Sequence, residues 1–166
     1  MYLYDTDKKI VRKISDTQAF PNSPSWLNNK ELIFASPNKD IINVRLDTQT
    51  EDKLKVIYGY AASYCPINKK IAIRAKENIY ISNLDGTELQ YLVTSYNRHV
   101  KSLSSGYPTE LTWSPDGKFL IYTREGKCFV KTAVVSEMIV VDVNNPKVKR
   151  KLYTGGGNFW GISWSK

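Results

Sequence analysis

A short pattern recurs along this chain and limits the architectures open to it: an aromatic residue, a polar corner and an apolar strand. The sharpest copy is TWSPDGKFLIYTR at 112–124. Looser copies are SWLNNKELIFAS at 25–36 and SYCPINKKIAIRA at 63–75, and SWSK at 163–166 begins a fourth. Because each copy places a turn between two short apolar segments, the pattern predicts antiparallel hairpins.

A second kind of hairpin lies between these copies. An alternating apolar strand reaches an Asp or Asn turn and returns as a mixed polar strand, because such short polar side chains tolerate turn backbone. These hairpins cover 2–15, 42–58, 79–94 and 139–154. The two kinds alternate strictly, so each repeat contains four strands: A and B from the first hairpin, C and D from the second.

The spacing of the second hairpins gives the period of the repeat. Their turn residues lie 40, 38 and 59 positions apart, at Asp7, Asp47, Asp85 and Asn144. The third interval contains insertions around 95–109 and 124–136. Periods of about 40 to 50 residues with four strands each are typical of β-propeller blades. We therefore expect an all-β chain forming one domain over 1–166, a partial or incompletely closed β-propeller of about 3.5 to 4 four-stranded antiparallel blades.

The phrase WSPDGKFLIY at 113–122 resembles the WSPDGKxIaF repeat of TolB-like β-propellers, a WD40-like repeat of the PD40 type. Similar repeats occur in the propeller domains of prolyl oligopeptidase-like peptidases. The corners at 27–30 and 65–69 are degenerate copies. The resemblance implies blades from a ring of six, and because the fold hosts unrelated activities it implies no particular one.

Physical chemistry accounts for the repeat without function. Each aromatic residue beside a corner is expected to wedge between neighbouring blades, burying on the order of 150–250 Å². Pro115, Asp116 and Gly117 suit a tight turn in which Gly takes a positive φ, and Ser114 is expected to hydrogen-bond across it. The wedging residues are Trp26, Tyr64, Trp113 and Trp164.

The two ends of the chain supply incomplete blades. The N-terminus provides only a C–D hairpin and the C-terminus, NFWGISWSK, only an A-like strand. Two explanations stay open: the chain is a piece of a longer protein, or open blade edges from two copies pair. Unpaired edge amides and carbonyls are adhesive, which favours a homo-oligomer formed through these edges.

Composition excludes several classes of protein. The net charge is +8, but the Lys residues are scattered through turns rather than massed, which argues against nucleic acid as a partner. No apolar run is long enough for a membrane span, and the N-terminus lacks a secretory signal pattern. The compartment stays open: cytoplasmic as the sequence stands, periplasmic or extracellular if a signal peptide was removed.

Binding residues are expected on the D-to-A connectors, which share one face with the B-to-C turns. These connectors carry aromatic residues and positive charge, the composition of binding hot spots. For Tyr58, Tyr107 and Trp160 a role in capping blades or lining the inter-blade core is an equal alternative. The candidate partner-binding residues are Phe20, Tyr60, Tyr96, Arg98, His99, Phe159 and Trp160.

No catalytic signature accompanies these residues. The single His, His99, excludes a polyhistidine metal centre, and no G-x-S-x-G elbow or phosphate-binding loop is present. The sequence therefore predicts a non-enzymatic scaffold that binds a protein or peptide, with no metal or cofactor. Two alternatives remain: the propeller portion of a peptidase or glycan-processing enzyme without its catalytic domain, and a weak polyanion binder.

Overall fold

The structure, a computed structural model, describes residues 1–20, 24–95, 110–125, 135–156 and 162–164. Regular structure in these ranges consists of β-strands in antiparallel sheets. Within them no helix is long and apolar enough to cross a membrane. The expected all-β architecture is confirmed.

One two-stranded sheet precedes three four-stranded sheets, and in each the strands follow chain order. The first sheet contains β1 (Tyr2–Asp5) and β2 (Ile10–Lys13). The second contains β3 (Ser25–Asn28), β4 (Glu31–Ala35), β5 (Ile41–Arg45) and β6 (Thr50–Lys53). The third contains β7 (Ala61–Cys65), β8 (Lys70–Ala75), β9 (Asn78–Asn83) and β10 (Gln90–Thr94). The fourth contains β11 (Leu111–Trp113), β12 (Phe119–Glu125), β13 (Val135–Asp142) and β14 (Lys149–Gly156).

The sheets pack face to face, and each interface has its own apolar cluster. Alternation along β4 sends Leu32 and Phe34 toward the first sheet, while Ile33 and Ala35 face the third sheet. A further cluster, including Tyr122, joins the third and fourth sheets. Period-two alternation thus gives each middle sheet two buried faces, as propeller blades require.

The A strands lie side by side along the inner edge, where β7 contacts both β3 and β11. The indole Nε1 of Trp113 donates a hydrogen bond to the carbonyl oxygen of Ser63 at 2.9 Å. Trp164 repeats this contact one blade later, donating to the carbonyl of Thr112 at 3.4 Å. The repeated contact confirms the radial arrangement. Within the described residues no extensive contact joins the first sheet to the fourth, so the blades form an open arc.

The expectation that all wedging residues are equivalent is wrong for Trp26. Trp113 is 7% exposed, whereas Trp26 is 51% exposed. The two occupy matching strand positions, since Trp26 pairs with Leu32 and Trp113 with Leu120. Trp26 faces the first sheet, which contributes only strands C and D, and no described A strand covers its ring.

The sharpest corner has the expected turn chemistry. Gly117 has a φ of +70°, the left-handed region that glycine enters at no steric cost. The hydroxyl of Ser114 donates to Asp116 Oδ1 at 2.6 Å and accepts from the Phe119 amide at 2.9 Å. The corner therefore holds itself closed through local hydrogen bonds.

Candidate functional site

One face of the arc carries both the B-to-C turns and the D-to-A connectors, and we call it the loop face. Its described parts are the turns 36–40 and 76–77 and the connectors 14–20 and 54–60. The amide of Gly59 donates to the carbonyl of Lys39 at 2.8 Å, and the amide of Tyr60 donates to that of Arg74 at 2.8 Å. The connector 54–60 is thus tied to the B-to-C turn of the second sheet and to strand β8 of the third.

A pocket of about 570 Å³ opens on the loop face between the second and third sheets. We call it the loop-face pocket. Its size falls in the range of ligand-binding clefts, about 300–1,000 Å³. Its lining includes four charged residues and three aromatic ones: Lys39, Asp40, Lys53 and Lys76, and Tyr58, Tyr60 and Tyr80.

Lys53 links the charged and aromatic parts of the pocket. Its Nζ lies 2.6 Å from Asp40 Oδ1 and 4.9 Å from the centroid of the Tyr58 ring. The hydrogen bond to Asp40 is the main reason that the pKa of Lys53 is raised above its ordinary value. Lys53 therefore remains protonated at neutral pH, with its charge partly balanced by Asp40.

Tyr60 stands at the centre of a second contact group. Its ring centroid lies 5.8 Å from that of Phe20, in a tilted arrangement, and 5.0 Å from the Nζ of Lys39. Aromatic pairs at this distance and a cation over a ring face are each favourable contacts. Phe20 also packs against the apolar cluster between the second and third sheets, which anchors the group to the core.

The far wall of the pocket is built on the third sheet. Asn78 accepts a hydrogen bond from the Thr94 hydroxyl at 3.1 Å, and its amide nitrogen donates to the Tyr80 hydroxyl at 3.4 Å. The ring of Tyr80 packs edge-on against that of Tyr91 at 6.0 Å. This wall therefore presents the ring of Tyr80 and the side-chain amide of Asn78, which its two hydrogen bonds hold in place.

Two of the predicted site residues, Phe20 and Tyr60, lie together on the loop face. Tyr58 is 61% exposed, which excludes the core role considered for it above. The remaining predicted residues lie outside the described part of the chain: Tyr96, Arg98, His99, Phe159 and Trp160.

Sequence reasoning missed the lysines of the pocket. Lys39 and Lys76 come from B-to-C turns of different sheets, and Lys53 from the end of β6. Each resembles the many other turn lysines when read along the chain, so only the fold reveals that they converge. Among the described residues, no three His, Cys, Asp or Glu side chains are grouped so that they could hold a metal ion.

No protein-family model matches the sequence, and no curated protein matches it. Solved structures do match. TolB from Acinetobacter baumannii is 18% identical, with a TM-score of 0.63 over 91% of this chain and 37% of that one. An auxiliary nutrient binding protein from Bacteroides thetaiotaomicron is 16% identical, with a TM-score of 0.58 over 99% of this chain and 38% of that one.

An oligogalacturonate lyase from Vibrio parahaemolyticus is 15% identical, with a TM-score of 0.53 over 93% of this chain and 46% of that one. The chain therefore spans less than half the length of each of these three proteins. At such identities the likeness concerns the fold. The chain has the fold of part of a TolB-like β-propeller, and its blades are arranged in an arc.

Proposed function

We propose that the chain is a non-enzymatic module that binds a protein or peptide ligand on its loop face. The observation that carries this proposal is the loop-face pocket, in which exposed Tyr58 and half-buried Tyr60 stand beside the ammonium groups of Lys53 and Lys39. Tyrosine gives a large contact area at low cost in conformational entropy, which makes it a frequent binding hot spot.

The rigidity of the surrounding fold supports a binding role. The connector that carries both tyrosines is hydrogen-bonded to two sheets, and Phe20 braces Tyr60 from the neighbouring connector. A ligand would meet side chains already held in place, so association would cost little ordering of the protein. Tyr96, Arg98, His99, Phe159 and Trp160 lie outside the described residues and stay candidates for the same binding role.

A display experiment tests the proposal. A random peptide library is panned on the wild-type chain, and the enriched peptides are measured against the Tyr58→Ala variant. Loss of a central aromatic anchor should weaken binding at least about tenfold, since hot-spot truncations cost about 2 kcal/mol or more and about 1.4 kcal/mol is a factor of ten. Because Tyr58 is 61% exposed, its removal should leave the circular dichroism spectrum and the melting temperature unchanged.

The matched control is Tyr153→Ala on β14. Tyr153 is 54% exposed and lies in a different sheet from the pocket, so the enriched peptides should bind this variant like the wild type. Failure to enrich any peptide, or equal weakening by the two substitutions, would contradict the proposal.

We also infer a second kind of partner, another copy of this chain. The outer face of the first sheet exposes Tyr2, Tyr4 and Val11, and Trp26, which faces the inner side of the same sheet, is half exposed. The middle sheets bury such faces against a neighbour. In later blades the tryptophan equivalent to Trp26 contacts a small polar residue that is followed by an aromatic one, and a segment of this kind is present at Ser163 and Trp164.

A further inference from the structure

The loop-face pocket gathers positive charge from three separate elements. Lys39 lies in the turn after β4, Lys53 ends β6, and Lys76 lies in the turn after β8. Asp40 is the only carboxylate among the described lining residues, and it is paired with Lys53 at 2.6 Å. The lining therefore has a surplus of two positive charges, and a cleft lined by one sign of charge attracts the opposite sign.

Lys39 and Lys76 supply that surplus. Within the described ranges neither has an ion-pair partner, since no carboxylate oxygen lies within 4.0 Å of either ammonium group. The nearest described partner of the Lys39 ammonium is the face of Tyr60, 5.0 Å away, and such a contact holds a cation without neutralising it. Both charges are thus available to a ligand.

The backbone of both turns is fixed by hydrogen bonds. Lys39 donates its amide to the Ser36 carbonyl at 2.8 Å and accepts from the Gly59 amide at 2.8 Å. Beside Lys76, the carbonyl of Glu77 accepts from both the amide and the hydroxyl of Ser95, at 2.7 and 3.0 Å. The two lysine stems therefore start from defined positions on opposite sides of the pocket.

We propose that the loop-face pocket binds a carboxylate of an acidic peptide segment, with Lys39 and Lys76 as the residues that hold its charge. This inference rests on the proposed function and adds the chemical class of the ligand. The tyrosine rings would contact the apolar parts of the peptide, and Asn38 and Asn78 would pair with its backbone. A compact group of charges between aromatic walls suits a carboxylate better than a nucleic-acid backbone, which needs an extended basic track.

Fluorescence anisotropy with two labelled peptides tests the proposal. One peptide alternates glutamate with alanine, and the other alternates glutamine with alanine. At low salt the wild-type chain should bind the glutamate peptide at least about tenfold more tightly. Lys39→Gln and Lys76→Gln should each weaken binding of the glutamate peptide about twofold to fivefold and leave the glutamine peptide unaffected.

Lys69→Gln is the matched control. Lys69 is exposed, has a φ of +56° close to the +53° of Lys76, and lies in the turn between β7 and β8 on the opposite face. The substitution Lys69→Gln removes the same net charge from the protein as Lys39→Gln but leaves the pocket unchanged. The affinity for the glutamate peptide should therefore stay at the wild-type value. Equal weakening by Lys69→Gln and Lys39→Gln would overturn the proposal, because it would show attraction to the overall charge alone.

Three further outcomes separate this inference from the proposed function. Equal binding of the two peptides would overturn the inference. Displacement of the glutamate peptide by a short DNA duplex at lower concentration than by unlabelled peptide would overturn it in favour of a polyanion site. Library peptides that require Tyr58 but neither Lys39 nor Lys76 would overturn the acidic-ligand inference while the binding function stands.

Discussion

At Gly59 the connector between β6 and β7 passes so close to β8 that a side chain has no room. A Cβ placed there would lie 2.5 Å from the Cγ2 of Ile73 and 2.8 Å from the carbonyl oxygen of Arg74. The same residue donates the hydrogen bond that holds Lys39. A single glycine therefore couples the core of the third sheet to the geometry of the pocket.

Gly59→Ala should destabilise the chain by about 1–3 kcal/mol, because the backbone oxygen of Arg74 cannot move aside without disturbing β8. The free energy of unfolding in urea measures the change. Gly156→Ala on β14 is the control, since a Cβ there meets no described atom within 4 Å and should shift stability by less than about 0.5 kcal/mol. Equal stability of the two variants would show that the connector can relax away from β8.

At the scale of the strand, one buried carboxylate, that of Glu137, joins three strands of the fourth sheet. Glu137 on β13 is opposite Arg124 on β12, and the two side chains are 2.8 Å apart. Lys151 on β14 reaches the same carboxylate at 3.1 Å. Burial alone would raise the pKa of Glu137, but the hydrogen bonds from Arg124 and Lys151 outweigh it, and the pKa lies below its ordinary value of 4.5.

This lowered pKa makes the stability of the sheet depend on pH. A carboxyl group whose pKa is lower in the folded state stabilises the fold above its unfolded pKa, and the contribution is lost as the pH falls through the folded pKa. Glu137→Gln should therefore cost about 1–3 kcal/mol of unfolding free energy at pH 7, and the difference from wild type should shrink in acid near pH 3. Urea unfolding of both proteins at the two pH values measures it.

The matched control for this substitution is Glu77→Gln. Glu77 is exposed in the turn after β8 and has no ion pair within the described ranges, so its replacement should change stability by less than about 0.5 kcal/mol at either pH. A cost of Glu137→Gln that stayed constant between the two pH values would mean that the ionised carboxylate is not what stabilises the three strands.

Strands and hairpins are the level of structure that could be predicted from the sequence. Strands and hairpins follow from local rules, since period-two alternation and Asp, Asn or Gly turns act within a few residues. The corner at Pro115–Gly117 was predictable in detail for that reason. The exposure of Trp26 could not be predicted, because burial depends on which strand lies opposite the side chain. Residues at matching positions of the repeat need not have matching neighbours.

The loop-face pocket shows the same division. The placement of Phe20 and Tyr60 on the loop face follows from strand order and could be predicted, while their role in binding stays a prediction. The presence of lysines in the pocket could not be predicted, because Lys39 and Lys76 line the same pocket only once two sheets stack. No signal in either turn distinguishes them from Lys69, which has nearly the same backbone conformation on the opposite face.

At the scale of the whole molecule, the arc presents an apolar face beside the first sheet. Leu3 points inward to the cluster with the second sheet, so Tyr2 and Tyr4 point outward, where they are 69% and 56% exposed. Val11 pairs with Tyr4 across the hairpin and adds to the same face. In the middle sheets, faces of this composition are covered by a neighbouring sheet, and an uncovered one favours association.

If a second copy covers this face, Val11→Asp should abolish the association, because a carboxylate would be buried against tyrosine rings without a partner. Light scattering of the wild-type chain should then give a mass above that of one chain, falling on dilution, while the variant should stay at the mass of one chain throughout. Val148→Asp is the control: Val148 is 55% exposed, against 65% for Val11, and lies at the far end of the arc before β14. Since the two substitutions add the same charge, only contact at the first sheet explains a difference between them, and a wild-type mass of one chain at every concentration would mean that this face does not bind a second copy.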